Sequence, residues 1–185
     1  TRFTSLVISR SHSTTLPKDE TDITEIRRIF LNLADQVGRK MRKKGYKAKT
    51  VTITIRDSRF KTITRSKTLD EATDLSEVLY EQAVSLFLKH WHHRPIRLLG
   101  LSVSNLVETR QQEPVQLSLF GQTEEEQKKE KYEKLTRAVD AIRDKYGEEA
   151  IIKAAAKQSP SMQLLRHKER GTSLDKGFID EKRNQ

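Results

Sequence analysis

Four adjacent residues, His90-Trp91-His92-His93, form the cluster in this sequence that most resembles a metal site. Imidazole nitrogens bind zinc, but adjacent histidines at a helix end do not converge on one ion as an i, i+4 pair does. No carboxylate is spaced to complete a ligand set, and the chain has no cysteine. We therefore predict no metal site here and interpret the histidines as the cationic end of a helix.

Sequence patterns that indicate an enzyme are also missing. There is no G-x-x-x-x-G-K-[ST] or G-x-G-x-x-G motif, and seven glycines leave little room for a phosphate-binding loop. No serine lies in a sequence typical of a strained strand-to-helix turn. Asp57 and Asp70 do not sit on adjacent strand ends, as a two-metal site would require. The chain by itself is predicted to be non-catalytic.

Charge and length narrow the possible functions further. The 185 residues suffice for one compact domain with extra segments, or for two small domains. The formal charge is +10, and residues 1–70 hold all of the excess, with 17 Lys and Arg against 7 Asp and Glu. Such a basic segment suggests a polyanionic partner, most commonly nucleic acid. No apolar run approaches 18 residues and no signal peptide opens the chain, so we expect a cytoplasmic protein without a membrane partner.

Hydrophobic periodicity predicts a β-α-β-β-α-β order within about 100 residues, from Ser5 to Leu106. The first predicted elements are a strand over Ser5–Leu16 that Pro17 ends and a helix from Thr21 or Asp22 to Gly45. A hairpin follows, with strands Thr50–Arg56 and Phe60–Leu69 and a bulge near Ile63–Arg65. The last two elements are a helix over Asp74–Trp91 and a central strand over Ile96–Leu106. Two helices would cover one face of a four-stranded sheet in an α+β fold. The other face would stay open and show Thr, Ser, Lys and Arg.

The rest of the chain divides into three predicted segments. Residues 107–122 lack periodicity and are interpreted as a tether, whereas residues 123–157 are predicted to be helical. A helix over Glu124–Tyr146 ends at Gly147, and Glu148–Lys157 follows as a short further helix. Residues 158–185 are polar and aperiodic, which is typical of a loose tail. The apolar positions in register on the longer helix are Tyr132, Leu135, Val139, Ile142 and Tyr146.

The same element order occurs in RNA-recognition motifs (RRMs), which stack bases on aromatic residues of their central strands. Here the corresponding strand, Arg59–Ser66, reads RFKTITRS, and aromatic residues make up only 6% of the chain. Thr, Ser, Lys and Arg on an open sheet suit phosphate contact instead, which positions a duplex without reading its sequence. Binding to duplex DNA is then expected to fall steeply with salt. An RRM-like RNA-binding protein remains the alternative.

Three stretches of the sequence share features with one known family. They are Ser11–Pro17 (SHSTTLP), the basic hairpin Val51–Leu69, and Arg97–Val103 (RLLGLSV). Together they resemble the little-finger domain of bacterial Y-family (UmuC/DinB-type) DNA polymerases over roughly Ser9–Leu106, which leaves residues 1–8 as a linker or an altered start. Leu135–Ala156 also resembles the C-terminal extension of the Gram-positive members.

This resemblance implies a translesion DNA polymerase that acts in DNA damage tolerance, with palm, fingers and thumb preceding the little finger. The palm would hold the catalytic carboxylates and magnesium, so no cofactor and no catalytic residue is expected in this chain. The alternative hypothesis is that this chain is catalytic by itself, and nucleotide incorporation by the chain alone would favour it. The open sheet face would hold template–primer duplex DNA across its major groove, with the chain as a monomer. The predicted duplex contacts are Thr14, Thr15, Lys61, Thr62, Thr64, Arg65, Lys67 and Arg97.

Residues Gln116-Leu117-Ser118-Leu119-Phe120 match the Q-L-[SD]-L-F sliding-clamp motif and lie just past the little-finger-like segment. Their three apolar side chains can be buried in an apolar groove, with the glutamine hydrogen-bonding beside it. Each buried side chain contributes about 2 kcal/mol before the cost of ordering the segment. We predict a weak, exchangeable contact with the bacterial sliding clamp. The alternative is an extra edge strand packed on the domain.

Overall fold

The computed structural model describes residues 10–109, 124–147 and 150–151. Its elements are β1 (Arg10–Glu20), α1 (Ile23–Lys43), β2 (Tyr46–Asp57), β3 (Thr62–Thr73), α2 (Ser76–His90), β4 (Ile96–Glu108) and α3 (Glu124–Tyr146). The four strands form one antiparallel sheet in the order β1-β4-β2-β3. The predicted α+β fold is confirmed, and the apolar strand β4 is central as expected.

The hydrophobic core lies between one face of the sheet and the helices α1 and α2. In β2, Val51, Ile53 and Ile55 lie directly opposite three apolar residues of β4 and face the helices with them. The apolar stripe of α1 packs on this face, where Phe30 and Val37 are fully buried. The strict alternation in β2 and the 3.6-residue period in α1 therefore both result from burial of apolar side chains in this one interface.

Both ends of α1 are capped. The Asp22 carboxylate accepts a hydrogen bond of 2.8 Å from the backbone N–H of Thr24, which satisfies a free donor at the helix start. After the helix, Gly45 has φ +69°, a conformation in which a residue with a Cβ is strained. The chain can therefore turn directly from α1 into β2.

Two local predictions in the strands are wrong. Strand β1 does not stop at Pro17 but continues to Glu20, with an irregular stretch between Thr15 and Glu20. Because β1 is an edge strand, a residue without an N–H group is tolerated there. The hairpin bulge is not at Ile63–Arg65: the β2–β3 register is regular there and shifts only in the stretch of β3 between Thr68 and Thr73. An exposed edge strand has no buried alternation from which its register could be read.

The segments after β4 are described only in part. Strand β4 extends to Glu108, so Val107 and Glu108 belong to the sheet rather than to the tether. Helix α3 has the predicted bounds, and Gly147, with φ +96°, follows its last residue. The short helix predicted over Glu148–Lys157 lies outside the described residues except for Ala150 and Ile151. Residues 1–9, most of the tether and the tail also lie outside them.

His12 of β1 is half-buried on the helix-packed face, opposite Leu101. Burial lowers the pKa of its imidazole below the ordinary 6.5, and the positive charge of Lys40 on α1 lowers it further. The folded state therefore favours a neutral ring at this position.

Protonation of His12 is expected to destabilise the fold in mildly acidic solution. Below pH 6.5 the unfolded chain takes up a proton that the folded chain does not, so the free energy of unfolding falls as the pH falls. His12→Gln should reduce this pH dependence in urea unfolding measured between pH 7.5 and pH 5.5, about one unit on each side of the ordinary histidine pKa. The exposed His92, changed to Gln, is the control. An equal pH dependence in wild type and His12→Gln would contradict the assignment.

Candidate nucleic-acid interface

On the sheet face opposite the helices, three rows of residues cross all four strands. The first row is Ser11, Ser102, Thr52 and Ser66; the second is Ser13, Gly100, Thr54 and Thr64; the third is Thr15, Leu98, Arg56 and Thr62. Nine of these twelve positions carry a hydroxyl group. We call these twelve positions the hydroxyl face.

The side chains of the hydroxyl face are accessible. The outer positions on β1 and β3 are exposed, and the inner ones on β2 and β4 are partly exposed, apart from the buried Gly100. Serine and threonine hydroxyls can donate to phosphate oxygens and accept from other groups. The face therefore offers a dense set of short, neutral hydrogen-bonding groups on a regular backbone.

Gly100 lies in the middle row of this face. A Cβ atom added there would lie 3.2 Å from the Cβ of Ser13 and 3.3 Å from the Cβ of Thr54, which is closer than most real contacts. The absence of a side chain lets the two neighbouring strands bring their hydroxyl side chains close together. Gly100 itself is buried beneath these two side chains.

Positive charge is sparse on the hydroxyl face. Among its twelve positions only Arg56 is cationic, and its Nε donates a hydrogen bond of 2.8 Å to the Thr62 hydroxyl. Lys40, Lys43 and Lys44 are exposed at the end of α1. Because α1 packs on the opposite face of the sheet, these three lysines add no charge to the hydroxyl face.

The eight predicted duplex contacts fall into three groups. Thr15, Thr62 and Thr64 lie on the hydroxyl face. Lys61 lies just before β3, and Arg97 lies where the register of β4 shifts. Arg97 also stacks its guanidinium 4.9 Å from the Phe60 ring centre and contacts the Asp19 carboxylate at 3.6 Å. These five residues are on the hydroxyl face or near the end of the sheet where Thr15, Arg56 and Thr62 lie.

The remaining three predicted contacts lie on the helix-packed side, so their expected place on the open face is wrong. Thr14 is opposite Leu99, Arg65 is opposite Ile53, and Lys67 is opposite Val51. The Lys67 ammonium donates a hydrogen bond of 2.7 Å to the Gln82 side chain of α2, which confirms its side of the sheet. Successive residues of a strand point to opposite faces of the sheet, so the register of pairing with the neighbouring strand decides which face each side chain occupies.

Sequence reasoning also left functional candidates out of the list. The alternation of β2 puts Thr52, Thr54 and Arg56 on its open side, but none of the three was among the predicted contacts. Ser13, Ser66 and Ser102 join them only through the strand order, because no pattern in β1, β3 or β4 alone identifies these serines. The open face is therefore richer in neutral hydroxyl groups, and poorer in cations, than the sequence analysis expected.

The histidine cluster has a structural role at the end of α2. The Nδ1 of His90 lies 2.8 Å from the Leu86 carbonyl oxygen, and the ring of His93 packs 4.7 Å from Trp91. Across the described ranges, no three His, Asp or Glu side chains are grouped so that they could hold a metal ion. In the same part of the chain, no helix is both long enough and apolar enough to cross a membrane.

Comparison with known proteins gives the family. Residues 8–119 match the model described as the impB/mucB/samB family C-terminal domain. This chain belongs to that family. The resemblance to UmuC/DinB-type polymerases noted from the three sequence stretches is thereby confirmed, and the hydroxyl face lies within the family's C-terminal domain.

Curated relatives of this family member are DNA polymerases. The chain is 38% identical over 169 residues to "DNA polymerase IV" of Oceanobacillus iheyensis, covering 91% of the chain and 38% of the relative. It is 34% identical over 177 residues to "DNA polymerase IV 1" of Bacillus subtilis, covering 95% of the chain and 40% of the relative. The chain thus spans about two fifths of the length of these relatives.

One solved structure similar to this family domain is "Complex of beta-clamp processivity factor and little finger domain of PolIV". The TM-score is 0.46 at 17% identity, covering 60% of this chain and all of that chain. A score at this level says nothing about partners, so the family membership rests on the sequence matches.

Proposed function

We propose that this chain is the DNA-binding and clamp-binding C-terminal part of an error-prone translesion DNA polymerase that acts in damage tolerance. The hydroxyl face holds template–primer duplex DNA without reading its sequence, and Gln116–Phe120 binds the sliding clamp. The observation that carries the DNA part is the set of nine hydroxyl groups in three rows on the face that α1 and α2 leave uncovered. We propose that this chain acts in the cytoplasm.

The dimensions of the hydroxyl face suit a DNA groove. Four strands separated by about 4.8 Å span roughly 14 Å between the outer strand axes. This is close to the width of about 12 Å of the B-DNA major groove, whose walls are the two phosphate backbones. Hydroxyl groups on the outer strands β1 and β3 can then reach phosphate oxygens, which position a protein without carrying sequence information.

The neutral character of this face changes the expected salt dependence. Each phosphate neutralised by a Lys or Arg contributes about 0.9 to the slope of log affinity against log salt. Arg56, Lys61 and Arg97, which lie on the face or near its end, together contribute a slope of about three. The steep dependence expected from the sequence assumed that Arg65 and Lys67 also face the duplex.

Replacing three hydroxyl groups of the face tests the DNA part of this proposal. Thr52→Val, Thr54→Val and Thr64→Val together keep the shape and charge of the sheet surface but remove hydrogen bonds. At about 1 kcal/mol each, their loss should weaken duplex binding by roughly a hundredfold. The measurement is fluorescence anisotropy with a labelled template–primer duplex. A triple variant with wild-type affinity would contradict the assignment of the face.

A matched variant removes three exposed hydroxyl groups outside the face, by Thr21→Val, Thr24→Val and Ser85→Ala. Its affinity should equal that of wild type. Single-stranded RNA in the same assay tests the RRM-like alternative, because that alternative requires aromatic stacking. Strand β4 contains no aromatic residue and β2 contains only Tyr46, at its first position.

A further inference from the structure

Helix α3 contacts α1 through charged side chains. Arg42 donates to both carboxylate oxygens of Asp140, through Nε and through Nη2 at 3.2 Å. Arg39 Nη2 lies 3.1 Å from an Asp144 oxygen, and Arg143 Nη1 lies 2.8 Å from an Asp35 oxygen. Each helix thus supplies both arginine and aspartate partners, and these pairs fix the position of α3 along α1.

The apolar stripe of α3 is not its most deeply buried side. Leu135 is 58% exposed and Tyr146 is 67% exposed, whereas Arg143 is only 6% exposed. The hydrophobic core cluster contains none of the described side chains of α3. Ion pairs therefore hold this helix in place, and those of Arg42 and Arg143 are buried enough that salt screens them only in part.

The guanidinium of Arg42 is positioned without help from α3. Its Nη1 donates to the Asp74 carbonyl oxygen at 2.7 Å and lies 3.3 Å from the Ser76 hydroxyl. Gly38 leaves room for this arrangement, because a Cβ there would lie 2.6 Å from the Ser76 hydroxyl oxygen and 2.9 Å from Arg42 Nη1. The other edge of the guanidinium, Nε and Nη2, is thus presented outward from α1 at a fixed angle.

This outward edge can bind either of two anions. A guanidinium donates two parallel hydrogen bonds to a carboxylate and does the same to a phosphate. Arg39 and Lys43 lie beside Arg42, and Lys43 Nζ is 3.9 Å from Asp144. The exposed Lys40 and Lys44 add positive charge around the site. The carboxylates of α3 therefore occupy positions where phosphate groups would also be stabilised.

We propose that Arg39, Arg42 and Lys43 form a second phosphate-binding site for nucleic acid, the α1 site, which Asp140 and Asp144 of α3 occupy in competition with the DNA backbone. The α1 site belongs to the helix-packed side of the domain and is separate from the hydroxyl face. The proposal rests on the proposed function in one respect, that the chain binds duplex DNA. Release of α3 adds phosphate contacts and strengthens binding.

Arg143→Gln gives the sharpest test, because two explanations predict opposite signs. Simple electrostatics predicts weaker DNA binding when a positive charge is lost. Competition by α3 predicts stronger binding, because Arg143 contacts Asp35 and the Ile151 carbonyl oxygen and holds α3 on α1. We expect at least a fivefold gain in duplex affinity at 50 mM salt and a slope steeper by about two, from two freed guanidinium groups.

A matched control and two companion variants complete the experiment. Arg137→Gln removes the same charge from an exposed position of α3 and should not increase affinity. The double variant Asp140→Asn, Asp144→Asn should reproduce the gain in duplex affinity. The double variant Asp70→Asn, Glu81→Gln makes the same charge change at exposed positions and should give a smaller gain. Adding Arg39→Gln and Arg42→Gln to Arg143→Gln should abolish the gain.

The triple variant Asp140→Asn, Arg143→Gln and Asp144→Asn removes all of these side-chain pairs at once. Wild-type or weaker duplex affinity in this variant, with an unchanged salt slope, would overturn the α1 site. The hydroxyl-face variants distinguish the two proposals. If Thr52, Thr54 and Thr64 prove dispensable while Arg143→Gln binds more tightly, the hydroxyl face is wrong and the α1 site stands.

Discussion

Replacement of Leu119 and Phe120 by alanine is expected to abolish binding of this chain to a bacterial sliding clamp and to leave duplex DNA binding unchanged. Burial of each apolar side chain contributes about 2 kcal/mol to binding. Losing most of two such side chains therefore removes roughly 3 to 4 kcal/mol of binding free energy from a contact that is expected to be weak. Residues 116–120 lie outside the described part of the chain, and this expectation rests on the motif Gln-Leu-Ser-Leu-Phe. Surface plasmon resonance with purified clamp is the measurement.

The control for this experiment is the second apolar pair Leu164 and Leu165, also changed to alanine, which lies in the polar tail. That variant should bind the clamp with wild-type affinity. If the Leu119 and Phe120 variant still binds the clamp, the tether assignment is wrong and the alternative of an edge strand gains weight. A simultaneous loss of duplex binding would also favour that alternative, because a packed strand contributes to the stability of the domain.

Phe87→Ala is expected to lower the free energy of unfolding by about 4 kcal/mol, a large part of the stability of a small domain. Phe87 of α2 is fully buried, and its ring centre lies 5.6 Å from that of Phe30 on α1 and 5.1 Å from that of Trp91. Removing the ring leaves a cavity between the two helices that cover the sheet. Because Trp91, the single tryptophan, packs against Phe87, its fluorescence changes with the substitution itself.

Leu88→Ala is the matched control for Phe87→Ala, since Leu88 is the next residue of α2 and is 47% exposed. Its loss should cost less than about 1 kcal/mol. Urea unfolding followed by circular dichroism avoids the effect of the substitution on the nearby tryptophan. A cost below about 2 kcal/mol for Phe87→Ala would mean that the two helices pack less closely than their ring distances indicate.

The fold could be predicted from the sequence because its central elements bury one face each. The Val51, Ile53 and Ile55 alternation and the stripe of α1 report directly which side chains meet the core. The edge strands carry no such pattern, since both faces of β3 are rich in polar residues. The positions of Arg65 and Lys67 were therefore assigned to the wrong face, and only their pairing with Ile53 and Val51 corrects it.

The sequence predicted an open face that carries threonine and serine, but not which residues form it. Three of the eight residues chosen as duplex contacts lie on the hydroxyl face. The serines Ser13, Ser66 and Ser102 come together only because β1 and β2 both pair with β4 and β3 pairs with β2. Strand order depends on contacts between residues far apart in sequence, which local periodicity does not encode.

The sequence by itself determined the element order, the approximate helix boundaries, the motif at 116–120 and a net charge of +10, because each depends on neighbouring residues or on composition. The tertiary structure alone decided where that charge lies. Packing of α1 against one sheet face carries Lys40, Lys43 and Lys44 away from the hydroxyl face, and the carboxylates of α3 pair with Arg39 and Arg42. Charge is read from composition, whereas its position depends on which faces become buried.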